Sequence, residues 1–334
     1  MSETGADRAT LESLQSLFEV IAEPMARVEA TLDETCRSGY EGVDELLRYV
    51  AGYKGKRMRP AMILLAGLAC GDLQPQHVRL AAVVELLHTA TLIHDDVIDE
   101  ADVRRRIASV NKRFGNETAI LLGDFLFSES FLMAVEFEDR EVGRAVSRLC
   151  RDLCLGEMLE ITHRNDLELP EDRYFDVIQK KTAILFEVGC GLAARLSGAD
   201  ASVEESLRVF ARNLGVAFQV TDDCLDLVGE EGAMGKSLGN DVQHGMTTLP
   251  FLHFLRTASD ADRARFREVF DSERTPERGR ELLSLLESAG SIAHAYARAR
   301  QCTDDARDAL SVLEATQYRR ALEGVLAFVV QRIC

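Results

Sequence analysis

Two stretches constrain this chain more than any others. Leu92-Ile93-His94-Asp95-Asp96-Val97-Ile98-Asp99 sets three carboxylates into an apolar helical run, and Gly215–Asp226 does the same with Asp222, Asp223 and Asp226. Residues four apart share a helix face, so Asp95 faces the same way as Asp99, and Asp222 as Asp226. Like charges at that spacing repel by about 0.2–0.5 kcal/mol, and partial burial makes an unpaired carboxylate far costlier. A divalent cation resolves the conflict. Mg²⁺ suits it, because it takes one or two carboxylates and leaves places for water and phosphate oxygens. A solvated acidic face is the plainer alternative, but the pattern occurs twice, and neither copy lies in a generally acidic run.

Around these stretches the chain reads as helix throughout. Of its 334 residues 46% are hydrophobic, only 6 are Pro and none is Trp, so a large helical core is within reach. Amphipathic spacing predicts helices over about 8–35, 42–50, 60–70, 75–99, 118–137, 141–163, 170–198 and 202–228, another from Pro250, and two or three over 276–333. Residues 1–8 are expected to be a flexible N-terminus. No β-alternation or fixed-period repeat interrupts the pattern, so the expectation is one all-α domain over 1–334, with no interior linker. The aspartates at the C-terminal end of the 75–99 helix oppose its dipole, and local conflict of this kind marks functional sites.

Several function classes drop out. A net charge of −17 speaks against nucleic acid as a partner. No stretch reads as a run of roughly 18 uncharged apolar residues, so no transmembrane segment is expected. The polar, acidic N-terminus resembles neither a signal nor a transit peptide. Cys150 and Cys154 share a helix face but lack matching partners for zinc. Scattered reduced thiols fit a cytoplasmic protein.

Compact basic groups sit beside the aspartates. Gly55-Lys56-Arg57-Met58-Arg59-Pro60 leads into a helix, whose N-terminus attracts anions. Arg104-Arg105-Arg106 follows the first aspartate set at once, and Lys181-Thr182 and Lys236 add donors. His88 stands nearly two turns before Asp95 on a similar face and is able to donate to phosphate; His94 adjoins the cluster. Cations and carboxylates within reach of one diphosphate form a more specific signal than either alone.

These segments, taken in order with Phe218–Asp226 and Gly235-Lys236-Ser237-Leu238-Gly239-Asn240-Asp241, resemble the trans-isoprenyl diphosphate synthases of the polyprenyl synthetase family, over residues 55–250. The resemblance implies the isoprenoid synthase fold, a bundle of long helices around a deep central cavity, usually as a homodimer. It implies a long-chain or geranylgeranyl-type enzyme that condenses isopentenyl diphosphate with an allylic diphosphate. By it, Asp95, Asp99, Asp222 and Asp226 hold three Mg²⁺, supported by Asp96 and Asp223. Arg104, Lys181, Thr182, Gln219 and Lys236 bind the allylic diphosphate, and Lys56, Arg59, His88 and Arg105 bind isopentenyl diphosphate, with Arg57 behind them.

In this family, short products go with a bulky aromatic four or five places before the first aspartate. Here Thr91 and Ala90 are small, with Leu87 and Val83 deeper, so a product beyond fifteen carbons is expected. Phe127, Phe131 and Leu155 are further candidates for closing the cavity. Three departures stand out: Lys54 replaces a glycine, Arg106 replaces a glycine, and Met246 replaces the lysine of the family's Gly-Lys-x-Thr-Leu-Pro. The alternatives are a terpene cyclase, which needs no second diphosphate site, and a non-catalytic subunit of a partner synthase, which typically loses aspartates that this chain keeps.

Overall fold

The computed structural model describes residues 14–53, 55–105, 107–228, 245–272 and 275–331. Lys54, Arg106, residues 229–244 with Lys236 and Asp241, and the N-terminal segment 1–8 lie outside them. The first helical stretch is broken by a 3-10 turn at Glu19–Ile21 before α1 (Ala22–Thr35). Then come α2 (Glu41–Ala51), α3 (Met58–Cys70) and α4 (Pro75–Ile98). Pro75 opens α4 at a position where its missing N–H is no loss, and Gln74 with His77 closes a reciprocal cap.

The elements α3 and α4 form the centre. Residues Ala61–Ala66 and Leu80–Leu87 are almost wholly buried, so these helices are apolar all round rather than on one stripe. The helices α5 (Val110–Phe114), α6 (Asn116–Val135) and α7 (Arg140–Thr162) wrap one side. On the other side, α8 (Glu171–Ile178) runs through a π turn at Gln179–Ala183 directly into α9 (Ile184–Leu196), and α10 (Ala201–Val228) packs against it. At about 1.5 Å per residue, α10 is long enough to cross the whole bundle.

The C-terminal helices are α11 (Leu249–Thr257), α12 (Asp260–Phe270), α13 (Pro276–Ser288), α14 (Ser291–Ala309) and α15 (Gln317–Gln331). They build a smaller aromatic cluster around Phe251, Phe254, Phe266 and Phe270, beside the main core.

One feature departs from the all-helical expectation: Val103–Arg104 (β1) and Ile107–Ala108 (β2) pair as a minimal antiparallel ribbon. Its tip is turned by Arg105, at a left-handed φ of 51°. By length and composition alone α6 is apolar enough to cross a membrane, although Asp124 and Glu129 interrupt its apolar run. In this fold α6 buries Leu122, Leu126 and Ala134 against the bundle and turns Leu121, Leu132 and Val135 outward.

Candidate active site

One cavity of about 870 Å³ opens at the end of the bundle where both aspartate helices terminate. From α4 it is lined by His88, Thr91, Leu92, Asp95 and Asp99, and from α10 by Phe218, Gln219, Asp222 and Asp223. The periodicity explains the choice. At about 100° per residue, positions four and seven before Asp95 return to its face. Positions five and eight turn away from it, so Ala90 and Leu87 are fully buried outside the lining, and Thr91 alone of the expected chain-length positions faces the cavity. Phe127 and Phe131 pack against the core, and Leu155 is exposed. Asp226 stands one turn beyond Asp222, also outside the lining.

The basic groups Lys56, Arg59, Arg104 and Arg105 line the same cavity. Arg57 begins α3 at a left-handed φ of 49° and is locked by two carboxylates. Its Nε donates to Glu29 at 2.6 Å, and its Nη1 to the buried Glu85 at 2.6 Å. Burial depresses the Arg57 pKa, and the two carboxylates more than restore it. Arg57 therefore anchors the turn, while its neighbours Lys56 and Arg59 line the cavity.

Arg59 lies over the Phe186 ring at 4.9 Å and donates Nη1 to His88 Nε2 at 3.0 Å. Burial lowers its pKa to about 10, which still leaves it charged at neutral pH. Burial, then Arg59 and Arg105, hold His88 well below the usual imidazole range. Since guanidinium only donates, His88 accepts at Nε2 and carries its proton on Nδ1. Arg105 donates to the Tyr53 carbonyl and lies so close to Gly55 that a Cβ there would collide with it.

Each aspartate has a distinct environment. Asp96 is fully buried and accepts from Arg104 Nε at 2.8 Å and Nη2 at 2.5 Å, so Arg104 is tied to α4 although it lines the cavity. Asp95 faces the cavity, where burial, opposed by Lys181 and reinforced by Asp99, raises its pKa to about 6. Asp223 accepts from Tyr174 Oη at 2.6 Å and Gln219 Nε2 at 2.7 Å, and burial still raises it to about 7. Gln219 also accepts from Thr182 Oγ1 at 2.8 Å, which joins the π turn to α10.

Several cavity residues escaped the sequence reading. Glu157 and Glu160 clasp Lys181 at 3.1 and 2.5 Å, and burial raises Glu157 to about 8. Their spacing, three apart on an amphipathic helix, was a readable signal. Arg164, at 2.9 Å from Asp99, and Tyr174 belong to no local pattern. His94 is a packed histidine, stacked on Phe127 at 5.7 Å with Nε2 3.1 Å from the Ile120 carbonyl oxygen.

Among the described residues no three His, Cys, Asp or Glu side chains converge closely enough to hold a metal by themselves. The donor set nonetheless fits Mg²⁺, which binds through one or two carboxylates and takes phosphate oxygens for the rest. Asp95 and Asp99 supply hard, mutually repelling oxygens at the cavity wall, and Asp222 lines the same cavity from α10.

The polyprenyl synthetase family profile matches residues 41–289. Octaprenyl diphosphate synthase of Escherichia coli K12 is 35% identical over 96% of this chain and 99% of its own length. A decaprenyl diphosphate synthase structure from Rhodobacter capsulatus superposes with a TM-score of 0.91 at 32% identity, covering 96% of this chain and 99% of that one. A polyprenyl synthase from Caulobacter crescentus CB15, complexed with calcium and isoprenyl diphosphate, gives 0.88 at 32% identity, covering 97% and 98%. The fold, the paired carboxylate walls and these relatives agree: this chain belongs to the polyprenyl synthetase family and is a prenyltransferase with the all-α isoprenoid synthase fold.

Proposed function

We propose that this enzyme condenses isopentenyl diphosphate with an allylic diphosphate in the presence of Mg²⁺ and releases a long-chain polyprenyl diphosphate of more than fifteen carbons. The observation that carries the reading is one cavity lined by two chemically different groups. Asp95, Asp99, Asp222 and Lys181 form one, and Lys56, Arg59, Arg105 and His88 form the other. A terpene cyclase has no use for the second group, and a non-catalytic subunit has no use for six retained aspartates. The long-chain product is supported by the octaprenyl and decaprenyl relatives and by a small residue, Thr91, on the cavity face below Asp95.

In this reading Asp95, Asp99, Asp222 and Asp226 hold three Mg²⁺ with the allylic diphosphate. The bound cations supply Lewis-acid neutralisation of the departing group's charge. Lys181, kept charged by Glu157 and Glu160, stabilises charge as it develops on the diphosphate oxygens, as does Lys236. The wall with Arg59 holds isopentenyl diphosphate so that its double bond faces the allylic carbon. Attack joins the two carbons, and the proton lost from the new unit passes to the released diphosphate. Thr182 and Gln219, joined to each other by a hydrogen bond, help bind the allylic diphosphate in this reading.

The outward apolar face of α6 and α7, with Leu121, Leu132, Val135 and Met158 each more than half exposed, suits a second copy of this chain in a homodimer. A cytoplasmic, reducing compartment suits its thiols. Incubation with Mg²⁺, radiolabelled isopentenyl diphosphate and an allylic primer tests the central reading. Chain elongation beyond fifteen carbons is expected, and no incorporation with any allylic primer would refute it.

A further inference from the structure

The carboxylate wall contains a cation with no counterpart in the motif pattern. Arg164 stands in the turn that follows α7 and lines the cavity together with Asp95, Asp99, Lys181 and Met246. Its Nη2 donates to Asp99 Oδ1 at 2.9 Å. Its Nε is buried with no partner among the described residues. The next residue, Asn165, adopts a left-handed φ of 61°, and its N–H donates to the Gly245 carbonyl at 2.8 Å. Gly245, at φ 73°, has no space for a Cβ against the Asn165 side chain. The turn carrying Arg164 and the segment carrying Met246 are thus tied backbone to backbone. Position 246 is where the motif pattern expects a lysine, and here it holds an uncharged thioether.

We propose that Arg164 is a diphosphate-binding residue of the carboxylate wall, supplying the cation that position 246 lacks and neutralising Asp99 when no substrate is bound. The inference rests on the function proposed above. A guanidinium forks onto phosphate oxygens at least as well as an ammonium does. When Mg²⁺ and diphosphate enter together, Asp99 turns to the metal, and the Arg164 donors exchange a carboxylate partner for phosphate oxygens. Charge is conserved in the exchange, because the ion pair that is lost is replaced by two new ones. The arrangement also sets an order. Metal alone competes with Arg164 for Asp99, whereas metal with diphosphate does not.

Binding measurements on Arg164→Ala, Met246→Lys and the double variant test this. The probes are Mn²⁺ alone, read by paramagnetic resonance, and inorganic pyrophosphate with Mg²⁺, read by calorimetry. The KM for the allylic substrate is measured beside them. Arg164→Ala is expected to weaken magnesium pyrophosphate by about 10- to 100-fold, while Mn²⁺ alone binds as tightly as before or tighter. Adding Met246→Lys to Arg164→Ala is expected to recover most of the pyrophosphate affinity. A pyrophosphate affinity within about threefold of wild type in Arg164→Ala, or a joint loss of both probes that Met246→Lys does not rescue, overturns the assignment and leaves Arg164 a structural latch. A wild-type protein that binds magnesium pyrophosphate but condenses nothing refutes the proposed reaction instead.

Discussion

Replacing Asp95 by Asn should stabilise the metal-free protein while abolishing its activity. The carboxyl group is half-buried on the cavity wall, and its desolvation there raises its pKa from 3.8 to about 6. Each factor of ten in proton affinity is worth about 1.36 kcal/mol, so keeping Asp95 ionised at pH 7 costs the fold on the order of 3 kcal/mol. A pKa raised on folding favours the fold fully below the unfolded value. That favour is lost as pH rises through the folded one. The gain from the Asp95→Asn substitution should therefore be complete above about pH 7, shrink between pH 6 and 4, and vanish below.

With an unfolding entropy of about 2.1 cal/mol/K per residue over 334 residues, 3 kcal/mol corresponds to roughly 4 °C in apparent Tm. Scanning calorimetry of EDTA-treated protein at pH 8 and pH 5 measures it. With Mg²⁺ and both substrates, turnover should fall by at least about 100-fold, the order seen when one preorganised stabilising group is lost. A lowered Tm at pH 8, or a gain of equal size at pH 5, would refute the account of Asp95 as a strained ligand.

Its neighbour should behave in the opposite way. Asp96→Ala strands the Arg104 guanidinium beside a fully buried site and is expected to lower stability by about 3–5 kcal/mol, read by denaturant titration; an unchanged midpoint would contradict the buried pairing. Arg59→Ala should raise KM mainly for isopentenyl diphosphate and Lys236→Ala mainly for the allylic primer, and equal effects on both substrates would contradict two separate diphosphate sites. Thr91→Phe, filling the cavity face one turn below Asp95, should shorten the product without blocking the first condensation, and chromatography of dephosphorylated products would show an unaltered length if the tail runs elsewhere.

The helices and the two aspartate sets were legible because both rest on local periodicity. The extent of α4 and α10 follows from where apolar spacing begins and stops. The π turn within 170–198 was not legible, since its residues differ in no obvious way from those of a regular helix. The ribbon at Val103–Ala108 is too short for alternation to register. Placing Ala90 on the cavity face counted distance along the helix axis and neglected rotation around it. The partners that fix the site's charges, Glu85 on Arg57, Glu157 and Glu160 on Lys181, Arg164 on Asp99 and Tyr174 on Asp223, come from elements far apart in sequence. Only tertiary packing brings them together.

The π turn at Gln179–Ala183 makes α8 and α9 two helices with one axis and two phases. One extra residue per turn advances everything after it by about 100° relative to an uninterrupted α-helix. Tyr174, Val177, Lys181 and Thr182 line the cavity up to and within the turn, and the advance falls on α9, whose Leu185, Phe186 and Gly189–Ala194 are turned into the core. Gly156 of α7 makes this feasible, because a Cβ there would lie 2.8 Å from the Lys181 nitrogen. Deleting Lys180 would be no small trimming of a surface residue. It would restore the regular winding and leave the two halves of the helix unable to face the cavity and the core at once. The spacing of this segment is therefore a fixed dimension of the enzyme, and length changes there are barred even where side-chain changes are not.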